Sequence, residues 1–331
     1  MNTEITVLKE IVAVRLDVHI WSARKKLTPT DFGSANLPPE KIASLGSKRI
    51  CDPVELRIFG TLKGKAVCLL DKKGVRFLGG WAISESVVHT VQTDLQTIAA
   101  NFQAAKEAFL HRYDDTIRGW ILDNPGWEAL LSTSIVRAEY VRERLSFDWQ
   151  MFRVVPPRKD RKAEVQRGLE AEVRSLGATL FGEVAKVASD AWHKSFAGKT
   201  AITRKALSPL RAIQRKLAGL IFVEPRVAPV VELLEVALGR LPASGGIEGA
   251  ELVMLQGLVR LLGDPDALVE HGQKVLEGRK PEAILSGLID SAAPSTLGSV
   301  SSPEPSTSSD KTAPLPSVPV SMPGVDSLGL W

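Results

Sequence analysis

Cys51 is the residue whose neighbours best suit nucleophilic chemistry. Arg49 lies two positions before it, and the Asp52-Pro53 pair after it is a favourable start for a helix. A cation and a helix N-terminus both lower the pKa of a thiol, and the thiolate is the reactive form. Buried cysteines beside helices are nevertheless common and inert. We therefore predict no catalytic residue, and an enzyme with an unrecognised site is the weakest of three functional hypotheses.

The remaining candidate ligands for metals and phosphates are scattered. The five histidines occur singly, without a second histidine or cysteine three or four residues away to share a helix face. Cys51 and Cys68 form no Cys-X-X-Cys motif. The segment GTLKGK at 60–65 is too short for a P-loop, and Gly79-Gly80 is not a dinucleotide fingerprint. The sequence therefore predicts neither a metal site nor a cofactor.

The strongest charge pattern is a basic region at 151–220, which holds 15 lysines and arginines against 6 acids. One interpretation is a surface for nucleic acid or another acidic partner. The alternatives are a solvated helix face or an internal match to the acidic 221–290, with 6 basic against 11 acidic residues. On the first interpretation, the residues that contact phosphates are Arg158, Lys159, Arg161, Lys162, Arg204, Lys205, Arg211, Arg215 and Lys216.

Five of the seven tryptophans lie in the first 150 residues. Such a group can form a stacking platform for nucleic-acid bases. More often, indoles act as large anchors between packed helices. We favour the core interpretation for Trp21, Trp81, Trp120, Trp127 and Trp149.

Composition predicts a globular, cytoplasmic protein. A chain of 331 residues that is 44% hydrophobic can bury a substantial core, and its net charge is only +4. Two cysteines are too few for a disulfide framework. The N-terminal MNTEITVLKE lacks the basic start and apolar run of a signal peptide. No stretch approaches the roughly 18 apolar residues of a membrane span, so we predict no membrane association.

The N-terminal half contains mixed local patterns. Alternating β-branched residues at 12–20 suggest a strand, although a buried helix face would also suit them. A helix is predicted from Asp52-Pro53 to Leu70, followed by a short strand or extended segment at 74–84. A long helix is expected at 93–122, and a second helical segment follows at 127–147. The apolar stripe of the long helix consists of Leu95, Ile98, Phe102, Ala105 and Phe109.

The C-terminal half is expected to be helical as far as residue 290. A long helix is predicted at about 158–197, and four shorter ones follow between 201 and 277. Pro209 should kink its helix or split it at Ser208. The Ser/Pro-rich segment 291–331 has too few large apolar residues to order itself. Its apolar end is either a docking peptide, through Leu328, Leu330 and Trp331, or simply an end.

These elements together predict a mainly α protein. An N-terminal helical domain at 1–157 is expected to contain a long antiparallel helix pair with a small strand or extended element. A helical C-terminal region at 158–290 and a disordered tail at 291–331 complete the chain. Long striped helices often associate with their own copies, so a coiled-coil homo-oligomer is also expected.

Several segments resemble a bacterial family of proteins with a domain of unknown function, number 3150. The likeness is good over the first 160 residues, loose over the helical remainder and absent from the tail. The resemblance implies a mobile genetic element and a neighbouring gene for a MoxR-like AAA+ ATPase as a partner. It implies no reaction and no catalytic residues. The segments that carry it are LDVHIWSARKKL at 16–27, LPPEKIASLGSKRICDP at 37–53, GVRFLGGWAIS at 74–84, NPGW at 124–127 and YVRERLSFDWQMFRVVPP at 140–157.

The first hypothesis for function is a non-enzymatic adaptor or scaffold of a mobile genetic element that partners a MoxR-like AAA+ ATPase. It rests on the striped helices, the absence of catalytic motifs and the family resemblance. The second is a DNA-binding accessory protein that uses the basic 151–220 region. A steep dependence of binding on salt would distinguish the second hypothesis from the first.

Overall fold

A computed structural model describes residues 3–33, 38–39, 41–155 and 163–290. The strands are β1 (Ile11–His19), β2 (Arg24–Lys26), β3 (Ser47–Arg49), β4 (Gly74–Phe77), β5 (Gly80–Ser84), β6 (Ser146–Phe152), β7 (Ala201–Ile202) and β8 (Ile247–Glu248). The helices are α1 (Thr3–Glu10), α2 (Arg57–Lys73), α3 (Val88–His111), α4 (Tyr113–Leu122), α5 (Glu128–Ser132), α6 (Ala138–Glu143), α7 (Ala163–Ala191), α8 (Ser208–Ala218), α9 (Val227–Gly239), α10 (Gly249–Leu262), α11 (Pro265–Leu276) and α12 (Pro281–Asp290).

The prediction of a mainly α fold is wrong, because a four-stranded antiparallel sheet organises the N-terminal half. Its strand order is β4-β5-β1-β6, and the ribbons β2-β3 and β7-β8 form two further small sheets. The alternation at 12–20 does form a strand, as the β-branched residues predict. β1 lies in the interior of the sheet, where Val14 is paired with Trp81 of β5 and Met151 of β6. The protein is therefore mixed α/β.

The second helical segment predicted at 127–147 does not form one long helix, because it contains only the short helices α5 and α6. The long helix that packs antiparallel to α3 is instead α2. After α5 and α6, β6 follows a period of two, and the predicted helical segment overlaps only its first two residues. Phe147, Trp149 and Met151 pack toward the core, while the side chains between them are more exposed or polar. The seven residues of β6 form a strand rather than another helical turn, because as a strand they pair with β1 along most of its length.

The apolar stripe of the long helix is real, although the helix is broken. Leu95, Phe102 and Phe109 of α3 are all buried. Arg112 separates α3 from α4, at the point where the hydrophobic spacing drifts. Phe102 packs against Phe59 of α2, with ring centroids 4.9 Å apart. The stripe therefore faces the chain's own core.

The tryptophans divide between core and surface. Trp21 and Trp81 are buried, which confirms the core interpretation for these two. Trp120 and Trp149 are half-buried, and Trp127 is 59% exposed. Trp21 packs on Phe109 and Tyr113 in an aromatic cluster beneath the β2-β3 ribbon. No single aromatic platform of five indoles forms.

The C-terminal helices share a core with the sheet. Val75 and Phe77 of β4 belong to the same buried cluster as Leu180 and Val184 of α7. Pro209 lies in the first turn of α8, and a 3-10 turn at Arg204–Leu207 precedes it. The chain is therefore split at Ser208, one of the two outcomes predicted. The predicted domain boundary at 157/158 and the tail at 291–331 lie outside the described residues.

Candidate nucleic-acid interface

α8 separates an apolar face from a cationic one. Leu210, Ile213 and Leu217 are buried at helical spacing, and they hold α8 against the C-terminal core. Arg211 and Arg215 are one turn apart and exposed on the other side of the helix. The spacing of the buried residues therefore places both arginine side chains on the solvent side of α8.

Four of the predicted phosphate contacts line one open groove of about 720 Å³, here called the α8 groove. Arg204 and Lys205 enter it from the 3-10 turn before α8, and Arg211 and Arg215 enter from the helix itself. Arg204 donates a hydrogen bond to the backbone oxygen of Pro242, which fixes the position of its guanidinium. Sequence reasoning missed the polar groups Ser208 and Gln214, which also line the groove.

No acid in the described ranges neutralises the cations of the α8 groove. Within the described ranges, no carboxylate lies within 4.0 Å of Arg204, Lys205, Arg211 or Arg215. The Nε of Arg215 donates to the backbone oxygen of Arg211 at 3.2 Å, an uncharged acceptor. Guanidinium groups without a carboxylate partner can donate two parallel hydrogen bonds to a phosphate.

Lys216 follows Arg215 directly but lies in the interior. Its side chain is 11% exposed, and its Nζ is 2.6 Å from Glu183 Oε2 and 2.6 Å from the backbone oxygen of Asp71. The other oxygen of Glu183 accepts a hydrogen bond from the backbone nitrogen of Arg76 at 2.9 Å. We call this set the interior junction, because it joins α2, β4, α7 and α8. Lys216 is consequently not part of the α8 groove.

The other predicted site residues cannot be located. Arg158, Lys159, Arg161 and Lys162 fall in 156–162, and Leu328, Leu330 and Trp331 fall in 291–331, all outside the residues that the structure describes. Their roles stay predictions.

Cys51 has the opposite environment to that of an activated nucleophile. Burial raises the pKa of its thiol to about 12, and the nearby carboxylates of Glu55 and Asp52 add to the rise. Burial also raises the pKa of Tyr113 to about 12. The thiol is therefore protonated at neutral pH, despite the predicted influence of Arg49 and the helix start. Cys68, by contrast, is exposed.

Cys51 lies beneath a second concavity that the sequence analysis missed. Arg24, Arg49 and Arg57 contribute to its wall, and Trp21 also lines it. The pairing of β2 with β3 brings Arg24 and Arg49 together across 25 positions of the sequence. Because these two residues are far apart in the sequence, no local sequence motif indicates that they lie together. We call this concavity the arginine pocket.

Two other kinds of site are absent from the described residues. No three side chains of His, Cys, Asp or Glu in this part of the chain are grouped so that they could hold a metal ion. In the same residues, no helix combines the length and apolar character that a membrane crossing requires.

Comparison with known proteins identifies a family. The model of a family described as "Protein of unknown function (DUF3150)" matches residues 8–264, more than three quarters of the chain. No curated protein and no solved structure matches. The match extends beyond the first 160 residues and includes both the sheet and α8.

Proposed function

The chain belongs to the DUF3150 family, whose description assigns no activity, and we propose from its geometry that it is a nucleic-acid-binding accessory protein. The observation that carries this proposal is the α8 groove, where four cations line one open concavity and have no carboxylate partners in the described part of the chain. Phosphate backbones are bound mainly by such charges, without regard to base sequence.

The shape and charge of the groove favour a polymer backbone over a small ligand. The groove is open to solvent along the exposed side of α8, so a strand can lie across it without entering the core. Ser208 and Gln214 supply neutral hydrogen-bonding groups between the cations. Hydroxyl and amide side chains often contact phosphates beside arginine and lysine.

The test is fluorescence anisotropy with labelled single- and double-stranded DNA across a range of salt concentrations. We compare the wild type with a groove double variant, R211Q/R215Q. The matched control, R118Q/R142Q, removes two exposed arginines that have carboxylate partners in Asp115 and Glu107. Both double variants change the net charge by the same amount.

The groove variant should bind at least about tenfold more weakly at low salt, because each substitution removes one cation that binds a phosphate. The slope of log affinity against log salt should become shallower by about 2. The control should change both quantities much less. Failure of the wild type to bind either DNA at about 50 mM salt, or an equal weakening in the two variants, would contradict the proposal.

The adaptor hypothesis stays a prediction, as do the mobile element, the AAA+ ATPase partner and the homo-oligomer. The apolar stripe of α3, which motivated the adaptor hypothesis, is buried against the chain's own core. Its docking residues Leu328, Leu330 and Trp331 lie outside the described part. A tagged pull-down from cells with the native gene neighbourhood, with and without nuclease, separates the two hypotheses. A nuclease-resistant ATPase would favour the adaptor.

A further inference from the structure

The arginine pocket is smaller than the α8 groove and is built from different elements. Its volume is about 250 Å³. Arg24 comes from β2, Arg49 from β3 and Arg57 from the first position of α2. Arg24 and Arg49 are directly opposite each other in the antiparallel register, so their side chains share one face of the ribbon.

The three arginines have no acidic partners among the described residues. In the part of the chain that the structure describes, no carboxylate lies within 4.0 Å of any of their guanidinium groups. The guanidinium of Arg24 makes a long contact of 3.4 Å with the Ser47 hydroxyl. The two nearby acids are engaged elsewhere. Asp52 accepts the backbone N–H of Val54, and Glu55 forms an ion pair with Arg112.

The positions of Arg24 and Arg49 are locally unfavourable. Like charges directly across a ribbon repel one another, as Arg24 and Arg49 do. Ala23, which precedes Arg24, has a φ of +51°, rare for a residue other than glycine. Conflicts of this kind concentrate at functional sites.

The opposite face of the ribbon is anchored, which keeps the arginine face in place. Lys48 forms an ion pair with Asp31, and both side chains are nearly buried. The Asp31 carboxylate also accepts the backbone N–H of Thr28 at 2.8 Å. Lys48 therefore has a structural role, whereas the side chain of the next residue, Arg49, is on the other face of the ribbon and is available to a ligand.

We propose that the arginine pocket binds a single phosphate group. Planar guanidinium groups pair with phosphate oxygens through parallel hydrogen bonds, and three of them can surround a dianion. The pocket is smaller than the roughly 300–1,000 Å³ of sites that enclose whole ligands, so the rest of the molecule stays outside. The site is independent of the α8 groove, because it shares no residue with it.

The test is isothermal titration calorimetry of the full chain with inorganic phosphate at low salt. The wild type should bind in the millimolar range, and R24Q, R49Q and R57Q should each weaken binding about tenfold or more. R142Q, which removes an exposed arginine paired with Glu107, should retain wild-type affinity. Circular dichroism checks that each variant is folded.

Three results would overturn the proposal. They are no binding by the wild type, unchanged binding in the pocket variants, or an equal weakening in R142Q. R49K keeps the charge but not the planar fork, so it should bind more weakly than the wild type and more tightly than R49Q. R49K also tests the site if a glutamine variant does not fold.

The source of the phosphate is decided with short oligonucleotides that have either a 5′-phosphate or a 5′-hydroxyl. If the 5′-phosphate increases affinity in the wild type but not in R57Q, the ligand is the end of a nucleic-acid strand. Equal affinities identify a free phosphate compound. The groove variant R211Q/R215Q should preserve the difference between the two oligonucleotides even though it weakens both. Failure of the proposed function therefore remains distinguishable from failure of the pocket.

Discussion

Lys216 and Arg215 are consecutive in the sequence and belong to two opposite kinds of region. At the interior junction, Lys216 is nearly buried and paired with Glu183. In the α8 groove, Arg215 and Arg211 are exposed and have no carboxylate partner among the described residues. The difference shows that a basic run is not one functional unit. The helix period assigns each cation either to the core or to solvent.

The largest expected effect comes from breaking the interior junction. K216M leaves Glu183 partly buried without its cation, and the backbone oxygen of Asp71 loses a donor. Removal of one partner from a buried pair costs about 3–5 kcal/mol, and the partial exposure of this pair favours the lower end. We expect a decrease of about 3 kcal/mol in the free energy of unfolding, measured with urea.

The groove variant is the contrasting case for stability. R211Q/R215Q should change the free energy of unfolding by less than about 0.5 kcal/mol, because substitutions at exposed surface positions usually change stability little. The double variant E183Q/K216M should be more stable than K216M alone, since no unpaired charge remains. If the groove and junction variants were destabilised equally, the distinction between the two regions would be wrong.

An effect of intermediate size on stability is expected at alkaline pH. It comes from Cys51, which is buried beneath the arginine pocket, and not from the exposed arginines that line the pocket. The folded state raises the pKa of Cys51 from 9.0 to about 12. The unfolded chain therefore releases this proton first, and stability falls as the pH rises from about 9 towards 12. Each pKa unit corresponds to about 1.4 kcal/mol. Between pH 8 and 10, the stability of C51A should fall by about 1 kcal/mol less than that of the wild type.

Tyr113 and Cys68 provide internal checks on the alkaline effect. Tyr113 also has a raised pKa, so C51A should keep part of the decline above pH 10. A thiol reagent should modify one cysteine, the exposed Cys68, in the native protein and both after unfolding. Rapid modification of both thiols in the native state would disprove the burial of Cys51.

The sequence predicted elements with a clear period and a local start. The strand at 12–20, the helix after Asp52-Pro53 and the split at Ser208 are of this kind. It did not predict the sheet, because the pairing of β1 with β6 joins segments more than 120 residues apart. For the same reason it singled out the four cations of the α8 groove, which are close together in the sequence, and missed the arginine pocket, which depends on the pairing of Arg24 with Arg49.

The smallest effect expected from a single substitution lies in the turn between β4 and β5, close to the junction and absent from the groove lining. Leu78 and Gly79 have φ values of +48° and +74°, as the two central residues of a type I′ turn require. Asparagine tolerates this conformation better than leucine, and Leu78 is 49% exposed. L78N should therefore stabilise the protein by about 0.5–1 kcal/mol, whereas G79A should destabilise it. Neither variant should alter the salt dependence of DNA binding. A change in that slope would mean that the junction and the groove are coupled through β4, although they share no residue.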